Sequence, residues 1–407
     1  MQPVDLSQET VEPTVAGVRI ATTAAGIRYA GRDDLVLFEL APGSHTAATF
    51  TRNAFCAAPV TVAKIHRAAQ SPRYWLINSG NANAGTGQAG LLAALASCQA
   101  VADVTGCNPA QVLPFSTGVI GEDLPVDKIS AALPGLRDQL APTNWSAAAR
   151  AIMTTDTRPK LVTRQFQVGE RTATLVGIAK GAGMIRPDMA TMLAFLATDV
   201  AVAPAVLQTV LSAAVDQSFN CITIDGDTST NDACVLVATG ELNNAAIDTL
   251  DSAAAASFSA AVAEACLALA TAIVRDGEGA TKLVQVVVEG AQSAVEARLV
   301  ADAIAHSPLV KTALSAGDPN WGRILAAVGR AGLTDLVIEQ VAIWLDQVCI
   351  VRNGGRDANY READGQRVMA LDEFTIRVTL GRGTAAVRVL TCDLTCEYVR
   401  INAAYRT

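Results

Sequence analysis

The stretch KGAGMIRPDMATMLAFL, residues 180–196, determines how the chain is organised. An apolar run at residues 174–179 leads into Lys180 and a Gly-Ala-Gly turn, and a second apolar run follows Thr191. This pattern predicts two buried strands joined by a tight connection rich in Gly and Pro. A cut before Thr191 would place a hydroxyl and a free α-amine on one residue, a nucleophile with its own base. The plainer interpretation is a β-branched residue that starts a core strand.

Composition narrows the class of protein. The 407 residues predict two domains or one large α/β domain, with 51% apolar but only 4% aromatic residues. A net charge of −8 without basic runs argues against nucleic-acid or anionic-membrane partners. The acidic N-terminal segment resembles neither a signal peptide nor a transit peptide, and residues 253–274, interrupted by Glu264, predict a core helix. We therefore expect a soluble, cytoplasmic enzyme.

The nine cysteines are scattered and form no CxxC pair. Small buried thiols of this kind are typical of a reducing compartment, and a zinc site needs a second ligand pair that Cys392 and Cys396 lack.

Strand-like and helix-like segments alternate along the chain, and residues 15–62 are predicted to be β structure. The predicted strands lie at 18–21, 35–40, 46–51, 74–77, 112–115, 160–168, 172–179, 192–197, 221–225, 233–238, 283–288 and near 309–314, with several more to 392. The predicted helices lie at 91–104, from about 125, and at 146–153, 205–217, 253–274, 294–305 and 324–331. Hairpins mixed with helices favour an α+β fold, a layered αββα-type sandwich with mixed sheets, over a doubly wound sheet. We predict a catalytic domain at 1–280 and a smaller C-terminal α/β domain at 281–407 that closes the substrate site.

Histidine is scarce, and this bears on the catalytic base. His45, His66 and His306 are the only histidines, and none lies in a Gly-rich or carboxylate-rich loop. A Ser-His-Asp or Cys-His centre needs one imidazole as its base. A free α-amine titrates near ~7.7–8.0, so it can take a proton from a neighbouring hydroxyl. The scarcity of histidine therefore favours a nucleophile whose own α-amine serves as the base.

Three polar loops are candidate binding elements. The loop DGDTSTND at 225–232 has three aspartates but does not match a calcium loop, and GIAKGAG at 177–183 lacks the ending of a phosphate loop. At STGVIG, residues 116–121, the Thr117 hydroxyl and the Gly118 amide follow a predicted strand. Two such donors can stabilise an oxyanion, although the same residues also suit an ordinary turn.

KGAGMIRPDMATML resembles the self-cleavage signature of the ornithine acetyltransferase family, the bifunctional glutamate N-acetyltransferases of arginine biosynthesis. Further blocks resemble that family in the same order along nearly the whole chain. They are TRNAFCAAPV (51–60), NSGNANAGTG (78–87), FSTGVIGEDLP (115–125), IMTTDTRPK (152–160), CITIDGDTSTND (221–232), RDGEGATK (275–282), SPLVKTA (307–313), GDPNWGRILAAVGRAG (317–332) and INAAYRT (401–407).

The resemblance implies cleavage between Ala190 and Thr191 into an α chain, 1–190, and a β chain, 191–407, that assemble as an α2β2 heterotetramer. It implies that Thr191 takes the acetyl group of N2-acetylornithine and passes it to glutamate in a ping-pong cycle, with Thr117 and Gly118 as the oxyanion hole. The implied substrate-binding residues are Thr154, Lys180, Thr191, Glu278, Asn402 and Thr407. No metal or cofactor is implied, and use of acetyl-CoA as a second acetyl donor is left open.

Two alternatives remain at this stage. A related self-processing amidase or aminopeptidase with an N-terminal threonine would pass the acyl group to water. A binding protein without enzyme activity would use Thr191 only as a strand residue.

Overall fold

The computed structural model describes residues 12–186 and 192–404. Ala190, Thr191 and Thr407, three of the predicted functional residues, lie outside the described residues, as does Pro187 in the predicted turn. In the described part, two stacked sheets with helices on both outer faces are followed by a third sheet with its own helices.

The strands and helices are numbered here in chain order. The strands are β1 (Val18–Thr23), β2 (Leu35–Leu40), β3 (His45–Phe50), β4 (Tyr74–Asn81), β5 (Val112–Val119), β6 (Lys160–Val168), β7 (Arg171–Lys180), β8 (Leu193–Thr198), β9 (Ala233–Ala238), β10 (Leu283–Ala291), β11 (Ala342–Leu345), β12 (Val348–Arg352), β13 (Gly355–Arg356), β14 (Glu373–Thr379) and β15 (Ala385–Cys392). The helices are α1 (Ala58–Ala69), α2 (Gly87–Thr105), α3 (Val126–Asp138), α4 (Trp145–Ala151), α5 (Pro204–Gln217), α6 (Ala253–Arg275), α7 (Ala294–Ala305), α8 (Pro308–Ala316), α9 (Trp321–Gly329), α10 (Glu362–Met369) and α11 (Cys396–Ala404).

The first two sheets pack face to face. The first has the order β1-β2-β4-β5 and the second the order β3-β9-β8-β7-β6. Because side chains alternate along a strand, β8 sends Leu193 and Phe195 into the core between the sheets, and Ala194 and Leu196 to the opposite face. The Phe195 ring lies 5.0 Å from the ring of Phe115 in the first sheet. Burial on both faces explains why β8 is an unbroken apolar run in the sequence.

Helices cover the outer faces of this sandwich. Side chains of α1, α2 and α3 pack on the first sheet, and those of α5 and α6 pack on the second. Helix α6 is long and apolar enough to cross a membrane by length and composition, but it packs against β6, β7 and α5. It is therefore a core helix, as predicted. The four layers confirm the predicted αββα-type sandwich with mixed sheets.

The third sheet has the order β13-β12-β11-β14-β10-β15. Strand β10 pairs parallel with β14 and antiparallel with β15, so this sheet is also mixed. Its core includes side chains of α7, α8, α9 and α10. The division of the chain into domains at residue 280 stays a prediction.

Two predicted strands and part of the predicted N-terminal β region are wrong. Residues 309–314 belong to helix α8, which begins after Ser307, whose hydroxyl accepts from the Val310 amide at 3.3 Å. Residues 221–225 form only a single bridge, Ile222 to Leu390, because the Ile224 amide donates to the Ile185 carbonyl instead of extending a ladder.

The predicted β region 15–62 runs into helix α1. The sequence APVTVA is rich in β-branched residues, but Pro59 suits the first turn of a helix. Its buried residues Val60, Ala63 and His66 follow helical spacing. Helix α9 starts at Trp321, three residues before its predicted start, because the Asn320 side chain caps it through the Arg323 amide.

Candidate active site

Several polar sequence motifs lie together at one end of the sandwich. Strand β7 ends at Lys180, which pairs with Leu193 at the start of β8, so the connection between these strands begins and ends at this edge. Strand β9 lies parallel to β8 and follows Asp232. Strand β5 brings Thr117 and Gly118 to the same place from the first sheet.

A cavity of about 170 Å³ opens between these elements. All the predicted site residues that the structure describes line it, although they come from distant parts of the sequence: Thr117, Gly118, Thr154, Lys180, Glu278 and Asn402. The lining also includes residues that the sequence analysis did not select: Asp225, Asp227, Asn231, Asp232 and Tyr398.

Lys180 is the central cation of the cavity. Its side chain is buried, and Nζ donates hydrogen bonds to Thr154 Oγ1 at 2.9 Å and Thr117 Oγ1 at 3.2 Å. An ammonium group only donates, so both hydroxyl oxygens act as acceptors toward Lys180. The hydroxyl hydrogens of Thr117 and Thr154 are therefore free to donate to another group. This is the polarity that an oxyanion-binding hydroxyl requires.

A buried ion network holds Lys180 in place. Asp156 Oδ1 accepts from Lys160 Nζ at 2.6 Å and from the Gly181 amide at 2.7 Å, and Lys160 Nζ also bonds to Asp276 at 2.7 Å. Burial alone would raise the pKa of Asp156, but Lys160 and Lys180 lower it to about 2. Burial lowers the pKa of Lys180, and the Asp156 carboxylate opposes that effect.

Gly118 can only be glycine. Its φ is +133°, and a Cβ there would lie 2.3 Å from the Gly80 carbonyl carbon on the paired strand β4. The close approach of β4 and β5 thus brings the bare backbone of residue 118 to the cavity wall, beside the Thr117 hydroxyl. Asn231 fixes this wall to the second sheet, since its Nδ2 donates to Ser116 O at 2.9 Å and Ala82 O at 2.7 Å.

Glu278 supplies a negative charge to the cavity. Asn402 Nδ2, on helix α11, donates to Glu278 Oε2 at 2.6 Å, and Glu278 raises the pKa of Lys180 by charge attraction. A Cβ at Gly183 would lie 2.5 Å from the Glu278 carboxyl carbon, so glycine there makes room for this side chain. The cavity therefore offers a ligand the Lys180 cation and, on another wall, the Glu278 carboxylate.

The acidic loop 225–232 holds both ends of the connection between β7 and β8. Asp225 accepts from the Met184 amide at 2.6 Å and the Ile185 amide at 2.8 Å, and Asp232 Oδ1 accepts from the Met192 amide at 2.9 Å. Burial raises the pKa of Asp225 and raises that of Asp232 well above its ordinary value. Within residues 12–186 and 192–404, no cluster of His, Cys, Asp and Glu side chains suits a metal ion.

Several of these residues were missed by the sequence analysis. Asp156 and Lys160 lie in the block IMTTDTRPK, and Asp232 ends the block CITIDGDTSTND. These motifs also contain candidate site residues, and that was the sequence signal available for them. The sequence pattern does not show which charged side chains are buried together.

A buried ammonium bonded to two hydroxyls, with a carboxylate on another wall, defines an enzyme site for a small molecule that carries both charges. The chain belongs to the ArgJ family, whose family model matches residues 19–407. It is an acyltransferase of arginine biosynthesis, and the resemblance drawn from the sequence blocks is confirmed.

The chain is similar to the arginine biosynthesis bifunctional protein ArgJ of Methylococcus capsulatus (strain Bath), with 60% identity over 393 residues, 97% of this chain and 96% of that one. Two solved structures are similar to parts of the chain. ArgJ of Bacillus halodurans is 40% identical with a TM-score of 0.49, covering 52% of this chain and 98% of that chain. Ornithine acetyltransferase of Mycobacterium tuberculosis, solved with ornithine, is 36% identical with a TM-score of 0.37, covering 42% of this chain and 92% of that chain.

Proposed function

We propose that this chain is a self-processing acetyltransferase that moves the acetyl group of N2-acetylornithine to glutamate through an acetyl ester on Thr191. The observation that carries the proposal is the single cavity in which Thr117, Gly118, Lys180 and Glu278 meet at the start of β8. These residues come from separate sequence blocks, and nothing but a common site requires them to converge.

The first step is cleavage of the chain. The Thr191 hydroxyl attacks the Ala190 carbonyl carbon, the new C–O bond replaces the C–N bond, and the released nitrogen takes up the hydroxyl proton. Water then hydrolyses the ester, giving a carboxylate at Ala190 and a free amine at Thr191. Anchoring of the Met184 and Met192 amides by Asp225 and Asp232 supports this step, since it fixes the chain on both sides of the bond.

The second step is acetyl transfer. The free amine of Thr191 takes the proton of its own hydroxyl, whose oxygen attacks the acetyl carbonyl carbon. As the C–N bond breaks, the Thr191 amine passes that proton to the departing nitrogen, so ornithine leaves with a free amine. The Thr117 hydroxyl and the Gly118 amide stabilise the oxyanion, and each such donor typically lowers the barrier by about 3–4 kcal/mol. The amino group of glutamate then attacks the ester, which gives N-acetylglutamate and restores Thr191.

Opposite charges hold the substrates. Lys180 pairs with a substrate carboxylate, and Glu278, held by Asn402, pairs with the side-chain ammonium of ornithine. Thr154 and Thr407 complete the set of substrate contacts. We further propose a cytoplasmic α2β2 heterotetramer of the two fragments that needs no cofactor. Whether acetyl-CoA also serves as a donor is decided by supplying it to the enzyme in place of N2-acetylornithine.

The test compares the wild-type chain with Thr191→Ala. We expect the wild type to run as two fragments on a denaturing gel. N-terminal sequencing of the C-terminal fragment should read Thr-Met-Leu-Ala. Thr191→Ala should stay at full length and form no N-acetylglutamate from N2-acetylornithine and glutamate. Thr198→Ala, at the other end of β8, is the matched control and should be cut normally.

Two results would refute parts of the proposal. A Thr191→Ala chain that is cut and active rules out Thr191 as the nucleophile. Release of acetate without N-acetylglutamate from the wild-type enzyme shows that water is the acceptor, as in an amidase.

A further inference from the structure

We propose that Asp232 is the general base for the self-cleavage step, a role that rests on the proposed function. One carboxylate oxygen of Asp232 anchors the Met192 amide. The other takes the Thr191 hydroxyl proton while the residue 191 nitrogen is still an amide.

The need for such a base follows from the chemistry of the two steps. In the mature enzyme, the free α-amine of Thr191 can accept the hydroxyl proton. In the uncut chain that nitrogen is part of a peptide bond and has no basicity to offer. Of the three histidines, His45 and His66 bond through Nδ1 to backbone carbonyls, and none of the three lines the cavity. A different group must therefore act before cleavage.

Asp232 has an unused oxygen in the right place. Its side chain is buried, and Oδ1 accepts from the Met192 amide at 2.9 Å. Oδ2 is also buried and has no hydrogen-bond partner among the described residues, although the Ser229 hydroxyl is close enough to lower the pKa of the carboxyl. Buried carboxylate oxygens rarely lack a hydrogen-bond partner, so an unbonded carboxylate oxygen in a cavity wall indicates a role in binding or proton transfer.

Covalent geometry keeps the Thr191 hydroxyl close to the amide that Asp232 anchors. The Met192 nitrogen is bonded to the carbonyl carbon of Thr191, and bond lengths limit the Thr191 hydroxyl oxygen to within about 5 Å of that nitrogen. The other acids of the cavity are less suited. Asp225 accepts from three backbone amides and from Tyr398, and Glu278 is held by Asn402.

Asp232 carries one proton from the Thr191 hydroxyl to the Thr191 nitrogen during this step. Asp232 Oδ2 takes the proton from the Thr191 hydroxyl as its oxygen bonds to the Ala190 carbonyl carbon. Asp232 returns that proton to the Thr191 nitrogen as the C–N bond breaks, so the carboxylate is regenerated. The ester that forms is then opened by water.

The electrostatic setting of Asp232 suits a proton acceptor. Burial raises the pKa of Asp232 well above its ordinary value, while Lys180 on β7 lowers it. Among the described residues, the other charged groups that line the cavity are Glu278, Asp225 and Asp227. A carboxyl with a raised pKa binds protons more strongly than an ordinary one, which favours proton transfer from a hydroxyl. Only the ionised form can accept the proton, so cleavage should accelerate as pH rises through this pKa.

The experiment follows the cutting of full-length chains after cell-free synthesis, in buffers from pH 5.5 to 8.5. Asp232→Asn keeps an oxygen for the Met192 amide but cannot accept a proton, so we expect cutting at least 100-fold slower than wild type, without the rise with pH. Asp232→Glu should restore part of the rate and of the pH dependence. The matched control is Asp199→Asn at the other end of β8, where a buried aspartate with a raised pKa accepts from the Thr174 amide. It should be cut at the wild-type rate.

Two further measurements separate a chemical role from a structural one. The uncut Asp232→Asn and Thr191→Ala chains should have the same urea midpoint, because both keep the Met192 anchor. Hydroxylamine, which cleaves esters, should not speed the release of fragments from Asp232→Asn, because formation of the ester is the slowed step.

Each outcome bears on one proposal. Cutting of Asp232→Asn at the wild-type rate, faster release of its fragments in hydroxylamine, or failure of Asp232→Glu to regain any rate overturns the assignment of Asp232. Cutting of Thr191→Ala overturns the proposed function itself.

Discussion

Replacing Lys160 by methionine tests the buried ion network beneath the cavity. The Lys160 ammonium bridges Asp156 at 2.6 Å and Asp276 at 2.7 Å, and their side chains are 0% and 7% exposed. Removing Lys160 takes away the cation that both carboxylates bind directly. Breaking a buried ion pair by removing one partner typically costs about 3–5 kcal/mol, because the remaining charge is left in a poor solvent.

The lowered pKa of Asp156 reflects the whole network, in which Lys160, Lys180 and the Gly181 amide all stabilise the carboxylate. Its folded-state pKa is about 2, against an ordinary value of 3.8. At about 1.4 kcal/mol per unit, this difference corresponds to about 2–3 kcal/mol of stability from this carboxyl alone. Because the pKa is lowered on folding, the contribution is present above about pH 4 and is lost as the pH falls toward 2.

The assay is urea unfolding, followed by circular dichroism, in the Thr191→Ala background so that a single chain unfolds. Lys160→Met should lower the free energy of unfolding by about 3–5 kcal/mol at pH 7, and the loss should shrink as the pH falls from 5 to 2.5. Lys128→Met is the control. Lys128 is exposed, and among the described residues it bonds only to the Gly26 carbonyl, so its loss should cost less than about 0.5 kcal/mol. A loss below 1 kcal/mol for Lys160→Met, or one independent of pH, would refute the reasoning.

Two more substitutions test the cavity and the corrected fold. Thr117→Val removes the free hydroxyl hydrogen, so kcat should fall about 10²–10³-fold with little change in KM, and Thr117→Ser should regain most of it in a steady-state assay of N-acetylglutamate formation. An unchanged kcat for Thr117→Val would exclude this hydroxyl from the oxyanion hole. Ser307→Ala removes the hydroxyl that caps α8 through the Val310 amide, so the free energy of unfolding should fall by about 1 kcal/mol in urea. No loss would show that the cap does not stabilise α8.

The sandwich could be predicted from the sequence because its strands carry strong local signals. The hairpin β6–β7 lies within a residue of its predicted bounds, and β9 matches them. Helices α1 and α8 could not be predicted in this way. Their apolar residues are partly β-branched, and what makes them helices is a proline in the first turn together with tertiary packing.

Some residues of the candidate site could be predicted from the sequence, and others could not. Thr117, Gly118, Lys180 and Glu278 were selected through family-like blocks, and the structure places them around one cavity. Asp232 was not selected, because its features, one bonded oxygen and one unbonded oxygen, exist only after β8 and β9 are aligned. Lys160 looked like an ordinary strand charge, and only folding brings two distant aspartates to its ammonium.

The strand order of the second sheet has a consequence for the two fragments that the proposed cleavage would give. Strands β3, β6 and β7 precede residue 190, whereas β8 and β9 follow it, and β9 lies between β3 and β8. Once cut, the two fragments therefore share one interleaved hydrogen-bonded sheet and cannot separate without unfolding it. An uncut chain refolds in a first-order process, but the cut protein must bring two molecules together. Recovery of the cut protein from denaturant should therefore depend on its concentration. The cut protein should stay folded because it unfolds slowly, and not because its fragments reassemble easily.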